Sequence, residues 1–157
     1  MDFPLPDPNK PLDQQTPLVL LTSIIVAEAA NQIDLAKFGV ACVIRNRWQR
    51  RIGFGSTWTA VLLQRNAFSV TIPGSSGYAK LLQPLAYETP ATWQKCYAIA
   101  ASVYYGVDLP DPTNGAHFYF SPPITRPPQD WGQVTFAAKI DQLSFYRQAP
   151  PAQTKAA

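Results

Sequence analysis

The chain has 157 residues and a net charge of +3; 46% of its residues are hydrophobic, 12% aromatic and 15% charged. These values are typical of one folded domain with a sizeable core and exclude a mainly disordered chain. Basic residues cluster only at Arg45, Arg47, Arg50 and Arg51, so we expect approach to anionic polymers such as cell walls and no nucleic-acid partner.

Proline clusters mark both ends of the chain, at Pro4 to Pro11 and at Pro150 and Pro151. Because proline cannot donate to a helix or a central strand, we expect an extended Pro-rich tail over 1–15, a single folded domain over 16–147 and a disordered tail over 148–157. No cationic start followed by an apolar core is visible, so we expect no secretory signal. The apolar run that ends at Ala27 is too short to span a bilayer, which predicts no stable membrane insertion.

Helix signals occupy most of the chain before Gly106. Thr16 followed by Pro17 is a typical start, with the threonine hydroxyl as N-cap and proline in the first turn. Asp34 is predicted to cap a second helix that ends among arginines, and Thr89 with Pro90 repeats the first pattern. The predicted helices reach from Thr16 to about Asn31, from Leu35 to Gln49, from Thr57 to about Arg65 and from Thr89 to Gly106, with a loop over Val70 to Gly77.

Strand signals follow Gly106. Ala116 to Ser121 is rich in residues that favour strands, and Val134 to Ile140 and Leu143 to Arg147 flank a two-residue turn, which predicts a hairpin. The fold class is therefore mainly helical α+β, with a small antiparallel sheet in the C-terminal third.

Glu28 is one of two glutamates and interrupts the apolar run LVLLTSIIVAEAA. On a solvated helix face it would be an ordinary surface residue. However, its helical neighbours at Ser23, Ile24, Ala27 and Gln32 offer no Lys or Arg for a surface ion pair. We therefore interpret Glu28 as a partly buried carboxyl with a raised pKa, the profile of a general acid in sugar cleavage.

Other catalytic classes fit the composition poorly. His117 is the single histidine, which disfavours a zinc peptidase or amidase, and we expect no metal and no cofactor. Cys42 and Cys96 fall inside predicted helices, so buried free thiols are preferred over a disulfide and over a cysteine peptidase.

Several blocks carry a family resemblance in order along the chain: IIVAEAANQ and FGVACVIRNR, then QRNAFS, DPTNGAHFY followed by Trp131, and IDQLSFY. Together they resemble the cell-wall hydrolase family typified by spore cortex-lytic enzymes. The last block departs from the pattern, because Asp141 and Leu143 stand where the family has glycine and histidine, which suggests a divergent branch.

The resemblance implies a lysozyme-like fold in which Glu28 protonates the glycosidic oxygen between N-acetylmuramic acid and N-acetylglucosamine of peptidoglycan. A two-carboxylate hydrolase needs a second acid across the scissile bond. None stands out as that partner among Asp34, Glu88, Asp108, Asp111 and Asp130. This favours lytic transglycosylation over hydrolysis by a muramidase of the same fold, which stays the alternative.

Sugar rings stack on aromatic faces, and the polar edges of the sugars need hydrogen-bond partners on the protein. The residues predicted to bind the glycan strand, including the single histidine, are Phe68, Asn114, His117, Tyr119, Trp131 and Tyr146.

The biological setting follows as an expectation. We expect a monomeric phage or prophage endolysin, made in the host cytoplasm and acting at the wall or in the periplasm after release. A catalytically silent wall-binding or virion structural protein is the second possibility, motivated by the altered last block.

Overall fold

The computed structural model describes residues 3–65 and 67–150. Within these residues, five α-helices precede a three-stranded sheet, and there are four short 3-10 turns. The helices are α1 (Pro17–Ala29), α2 (Asp34–Arg50), α3 (Trp58–Leu62), α4 (Tyr78–Leu82) and α5 (Pro90–Tyr104); the strands are β1 (Phe118–Phe120), β2 (Val134–Ile140) and β3 (Leu143–Gln148); the 3-10 turns are Leu12–Gln14, Ser69–Thr71, Pro84–Ala86 and Gln129–Trp131.

Helix α1 forms the centre of the core. Every residue from Leu18 to Val26 is buried, as expected for a helix that is apolar on all sides. Helices α2, α3, α4 and α5 all pack against it. The polar residue Glu28 lies in its last turn, where the helix leaves the core.

The helix starts differ in how they are capped. Thr57 and Thr89 accept hydrogen bonds from the backbone N–H of Ala60 and Thr92, whereas the Thr16 hydroxyl makes no such bond, so its predicted capping role is wrong. Asp34 is also not a cap: Ile33 holds that position. The carboxylate of Asp34 instead pairs with Lys95 at 3.1 Å and Lys37 at 3.7 Å.

The sheet is antiparallel, with strand order β1-β3-β2. The predicted hairpin joins β2 and β3, and Asp141 in its turn has a positive φ of 53°. Phe145 of β3 is fully buried and lies against Gly39 of α2. The predicted fold class, a mainly helical α+β domain with a small C-terminal sheet, is confirmed.

The segment before α1 lies on α5. The indole N–H of Trp93 donates to the Pro4 carbonyl at 3.1 Å, and Phe3 meets Tyr97 edge to face. The Gln15 side chain closes this segment by bonding to backbone groups of Asp7. The domain bounds stay a prediction, and most of the predicted C-terminal tail, 151–157, lies outside the described residues.

Two further expectations concern thiols and membranes. Cys42 and Cys96 are buried free thiols, which confirms the preferred interpretation. Within residues 3–65 and 67–150, no helix has the length and apolar character needed to cross a bilayer.

Candidate active site

One groove of about 550 Å³ runs between the helices and the sheet. Its walls come from the last turns of α1 and α2, the loops after α2 and α3, strand β1 with the loop that follows, the turn before β2, and the end of β3. The charged and aromatic side chains that line the groove include Glu28, Arg47, Arg65, Phe68, Tyr119, Asp130 and Trp131.

Glu28 enters this groove from the end of α1 and is partly buried. Burial raises the pKa of its carboxyl above the usual glutamate value, while the Tyr119 hydroxyl and the charge of Arg47 lower it again. Burial prevails, because removing a carboxylate from water favours its protonated form. The predicted partly buried carboxyl with a raised pKa is thus found.

Tyr119 of β1 brings its hydroxyl towards Glu28. Burial, followed by the negative charge of Glu28, raises the pKa of Tyr119 well above its usual value, so the phenol stays neutral. Within the described part of the chain, the buried hydroxyl oxygen has no hydrogen bond of regular length and angle. The Tyr119 hydroxyl therefore interacts with Glu28 without a regularly aligned hydrogen bond.

Arg47 reaches the same groove from the last turn of α2 and is only 5% exposed. Its Nε donates to the His117 carbonyl at 2.6 Å. Its guanidinium lies over the rings of Phe54, Phe68 and Phe118, at 5.4, 5.2 and 5.4 Å from their centroids. Burial lowers the pKa of Arg47 to about 10, so the side chain carries its charge at neutral pH.

Aromatic rings form one wall of the groove. Trp131 stacks on Phe118 with a centroid distance of 4.7 Å and an interplanar angle of 16°, and Phe120 lies beside it. Phe68 lines the groove but is only 2% exposed, so it supports Arg47 more than it offers a stacking face. Trp131 is partly exposed and is the better platform for a sugar ring.

A hydrogen-bonded cluster fixes the end of α2 beneath the groove. The Asn46 amide donates to the Asp111 carboxylate and to the Ala116 carbonyl, both at 2.9 Å. Although burial raises the pKa of Asp111, the hydrogen bonds that it accepts from Asn46, Thr113 and Gly115 lower it overall. Asn46 thus ties the helix to the loop before β1, and so it is structural.

Four of the seven predicted site residues meet in the groove: Glu28, Phe68, Tyr119 and Trp131. The other three lie outside its lining. Asn114 donates to the Ala137 carbonyl. His117 stacks on Phe54, its Nδ1 accepts from the backbone N–H of Gln148, and burial lowers its pKa to about 4. Tyr146 packs among the sheet aromatics.

Sequence reasoning missed three charged residues of the groove, Arg47, Arg65 and Asp130. Arg47 belongs to the arginines at the predicted end of the second helix, where basic residues are common for reasons unrelated to a binding site. Asp130 was set aside as a turn residue, yet it lines the groove beside Trp131. Its position next to the predicted stacking residue was the signal that could have found it.

The described residues offer no alternative centre for metal or thiolate chemistry. None of them forms a group of three or more His, Cys, Asp or Glu side chains that could hold a metal ion. Burial raises the pKa of Cys42 to about 12 and that of Cys96 to about 11, so neither thiol is ionised at neutral pH.

The groove thus combines a desolvated carboxyl, a buried cation and an aromatic wall. The chain belongs to the cell wall hydrolase family, whose model, described as Cell Wall Hydrolase, matches residues 31–146. The suspected family and the expectation of a wall-cleaving enzyme are confirmed. The family match begins after Glu28 and does not include it. The role of Glu28 is therefore argued from its burial and its position in the groove.

Two solved structures share the fold. The catalytic domain of the Bacillus cereus SleB protein matches with a TM-score of 0.61 at 22% identity, covering 82% of this chain and 88% of that one. The catalytic domain of germination-specific lytic transglycosylase SleB from Bacillus anthracis matches with a TM-score of 0.62 at 22% identity, covering 84% and 94%. A comparison with curated proteins found no match.

Proposed function

We propose that the protein is a peptidoglycan lytic transglycosylase that cleaves the β-1,4 bond from N-acetylmuramic acid to N-acetylglucosamine. The observation that carries the proposal is the desolvated Glu28 carboxyl in the groove. Such a carboxyl keeps its proton to a higher pH than a solvated one and can donate it to a leaving oxygen.

The proposed reaction uses Glu28 twice. Its carboxyl protonates the glycosidic oxygen, the bond from that oxygen to C1 of muramic acid breaks, and the glucosamine leaves with a new 4-hydroxyl. The Glu28 carboxylate then takes the proton of the muramic acid 6-hydroxyl, whose oxygen bonds to C1. The product is a 1,6-anhydro sugar, no water is consumed, and Glu28 regains its proton.

The same groove supports a second reaction. Asp130 brings another carboxyl to its lining, and two carboxyl groups across a scissile bond are the arrangement of a hydrolytic glycosidase. In that muramidase reaction water ends up on C1 and the product has a reducing end. We place transglycosylation first because Asp130 is exposed and because the B. anthracis protein of the same fold is described as a lytic transglycosylase.

A turbidity assay on outer-membrane-permeabilised cells tests whether the protein is an active enzyme. The wild type should clear the suspension, and Glu28→Gln should not. Glu88→Gln is the matched control, since Glu88 is the other glutamate and pairs with Lys80 at 3.8 Å, outside the groove. No clearing by the wild type, or equal clearing by Glu28→Gln, would instead support a silent wall-binding or virion structural protein.

Asp130→Asn separates the two reactions. A transglycosylase should keep its rate within a few-fold and still form anhydro ends. A loss of about 100-fold or more, as expected when a general base is removed, would favour the muramidase.

The proposal includes a role in cell-wall lysis as a phage or prophage endolysin, made in the host cytoplasm and acting at the wall after release. The net charge of +3 supports approach to an anionic wall. Expression in a host with and without a separate membrane pore tests this role. Lysis should require the pore, and lysis at the same rate without it would contradict the role.

A further inference from the structure

Arg47 is a buried cation whose position the fold determines from several sides. The Nε–H bond to the His117 carbonyl and the three surrounding rings leave the guanidinium little freedom. A cation that was merely tolerated in the core would not line an open groove, but this one does, together with Glu28. The arrangement therefore places a fixed positive charge beside the proposed acid.

The positive charge of Arg47 lies near Glu28 without forming an ion pair with it. Among the described residues, neither Arg47 nor Glu28 forms an ion pair within 4.0 Å, yet the charge of Arg47 acts on the carboxyl. A direct ion pair would favour the ionised carboxylate and remove the proton needed for catalysis. A cation at longer range permits protonation and still stabilises the anion once it forms.

We propose that Arg47 is a positioning residue for this reaction: its fixed charge stabilises the carboxylate that Glu28 becomes after proton donation, so that one side chain can serve as acid and then as base. This inference rests on the proposed function of Glu28. It explains how a groove that disfavours a carboxylate can accommodate one between the two steps, since charge interactions are strong where water is scarce.

Other ionisable groups near the pair do not supply this charge. Tyr119 from β1 is neutral because burial raises its pKa well above the usual value. His117, whose carbonyl holds Arg47, has a pKa of about 4 and is neutral at higher pH. Arg65 and Asp130 line the groove from its loops and are not among the groups that shift the Glu28 pKa.

The pH profile of cleavage tests the inference. Glu28 must be protonated to donate, so the rate falls as pH rises through its pKa. Removing the charge in Arg47→Met raises that pKa; the alkaline limb should move up by about one pH unit. At the wild-type optimum kcat should fall about tenfold with little change in KM, because the interaction acts on the ion formed during reaction.

Three variants complete the design. Arg47→Lys keeps the charge and should leave the alkaline limb within a few tenths of a pH unit of the wild type. Arg47→Gln is a second neutral variant that should move the limb upward if Arg47→Met does not fold, as judged by circular dichroism. Arg51→Gln is the matched control, because Arg51 is exposed, lies over Trp48 and is outside the groove lining.

The results separate a role in catalysis from a role in folding. An upward shift in the folded neutral variants, absent from the Lys and Arg51 variants, supports the inference. If the alkaline limb of the pH profile does not move in a folded neutral variant, the inference is overturned, whatever the loss of rate. If Glu28→Gln is as active as the wild type, the proposed function itself fails, an outcome that the Arg47 variants alone cannot produce.

Discussion

Gly39 lies where α2 meets the sheet, and Gly39→Ala is a sharp test of the packing beneath the groove. A Cβ added at this position would lie 3.0 Å from Cζ of Phe145 and 3.2 Å from Cγ2 of Thr113. Both distances are shorter than ordinary van der Waals contact. Phe145 and Thr113 are fully buried, so neither can relieve the contact by moving into solvent.

Two opposing effects determine how much Gly39→Ala changes the free energy of unfolding. Overpacking a well-filled core costs about 1–3 kcal/mol, while alanine is favoured over glycine inside a helix by about 1 kcal/mol. We expect Gly39→Ala to lower the free energy of unfolding by about 1 kcal/mol, which corresponds to a fall in Tm of about 2–4 °C for a chain of this size.

Activity should fall further than stability alone explains. The Phe145 ring also packs on Tyr119, with 5.9 Å between centroids, and the Tyr119 hydroxyl faces Glu28. A ring displaced by the new methyl group transmits the shift to the site. We expect kcat to fall roughly tenfold, because small misplacements of catalytic groups have large effects on rate.

Thermal unfolding followed by circular dichroism measures the stability effect. The matched comparison is Gly39→Ala combined with Phe145→Leu, which removes the ring that the methyl group meets. The two changes should be less than additive, because they share one contact. A Tm for Gly39→Ala equal to or above that of the wild type would refute the close approach of α2 and β3.

Two further predictions concern the groove itself. Because the Glu28 pKa is raised in the folded state, its stability contribution is complete below the unfolded pKa and is lost as pH rises through the folded pKa. Glu28→Gln should therefore have a higher Tm than the wild type at mildly alkaline pH and an equal one in acid, and thermal scans in which the Tm difference does not change with pH would mean that the carboxyl is solvated. Trp131→Ala should lower kcat/KM for peptidoglycan about tenfold, mainly through KM, because a stacking face for sugar is lost. The control Phe136→Ala removes an exposed ring outside the groove lining and should change neither kcat nor KM. Equal effects of the two substitutions would exclude Trp131 as a sugar platform.

Much of the fold could be predicted from local sequence signals. Strand β2 has the predicted bounds, Val134–Ile140, and α2 and α5 end within a residue or two of their predicted limits. Helix α4 was missed because its five residues follow a glycine-rich loop and carry no capping signal. Thr16 occupies the predicted N-cap position of α1, but its hydroxyl makes no capping hydrogen bond, a detail that the sequence pattern does not determine.

The site was less predictable, because it forms from distant segments. Glu28 was found because a charge in an apolar run is a local anomaly. Arg47 and Asp130 resemble ordinary helix-end and turn residues until the fold brings them to one groove. Asn114 and His117 lie in a block that leads into β1, but their side chains serve neighbouring backbone, which proximity in sequence could not reveal.

Analysis of the digestion products tests the central claim most directly. Purified peptidoglycan is incubated with the wild type, Glu28→Gln or Glu88→Gln, and the soluble muropeptides are identified by mass spectrometry. The account predicts 1,6-anhydro-muramic acid ends from the wild type and Glu88→Gln, and no products from Glu28→Gln. Muramic acid with reducing ends would contradict transglycosylation, and any cleavage by Glu28→Gln at the wild-type rate would contradict the role of Glu28.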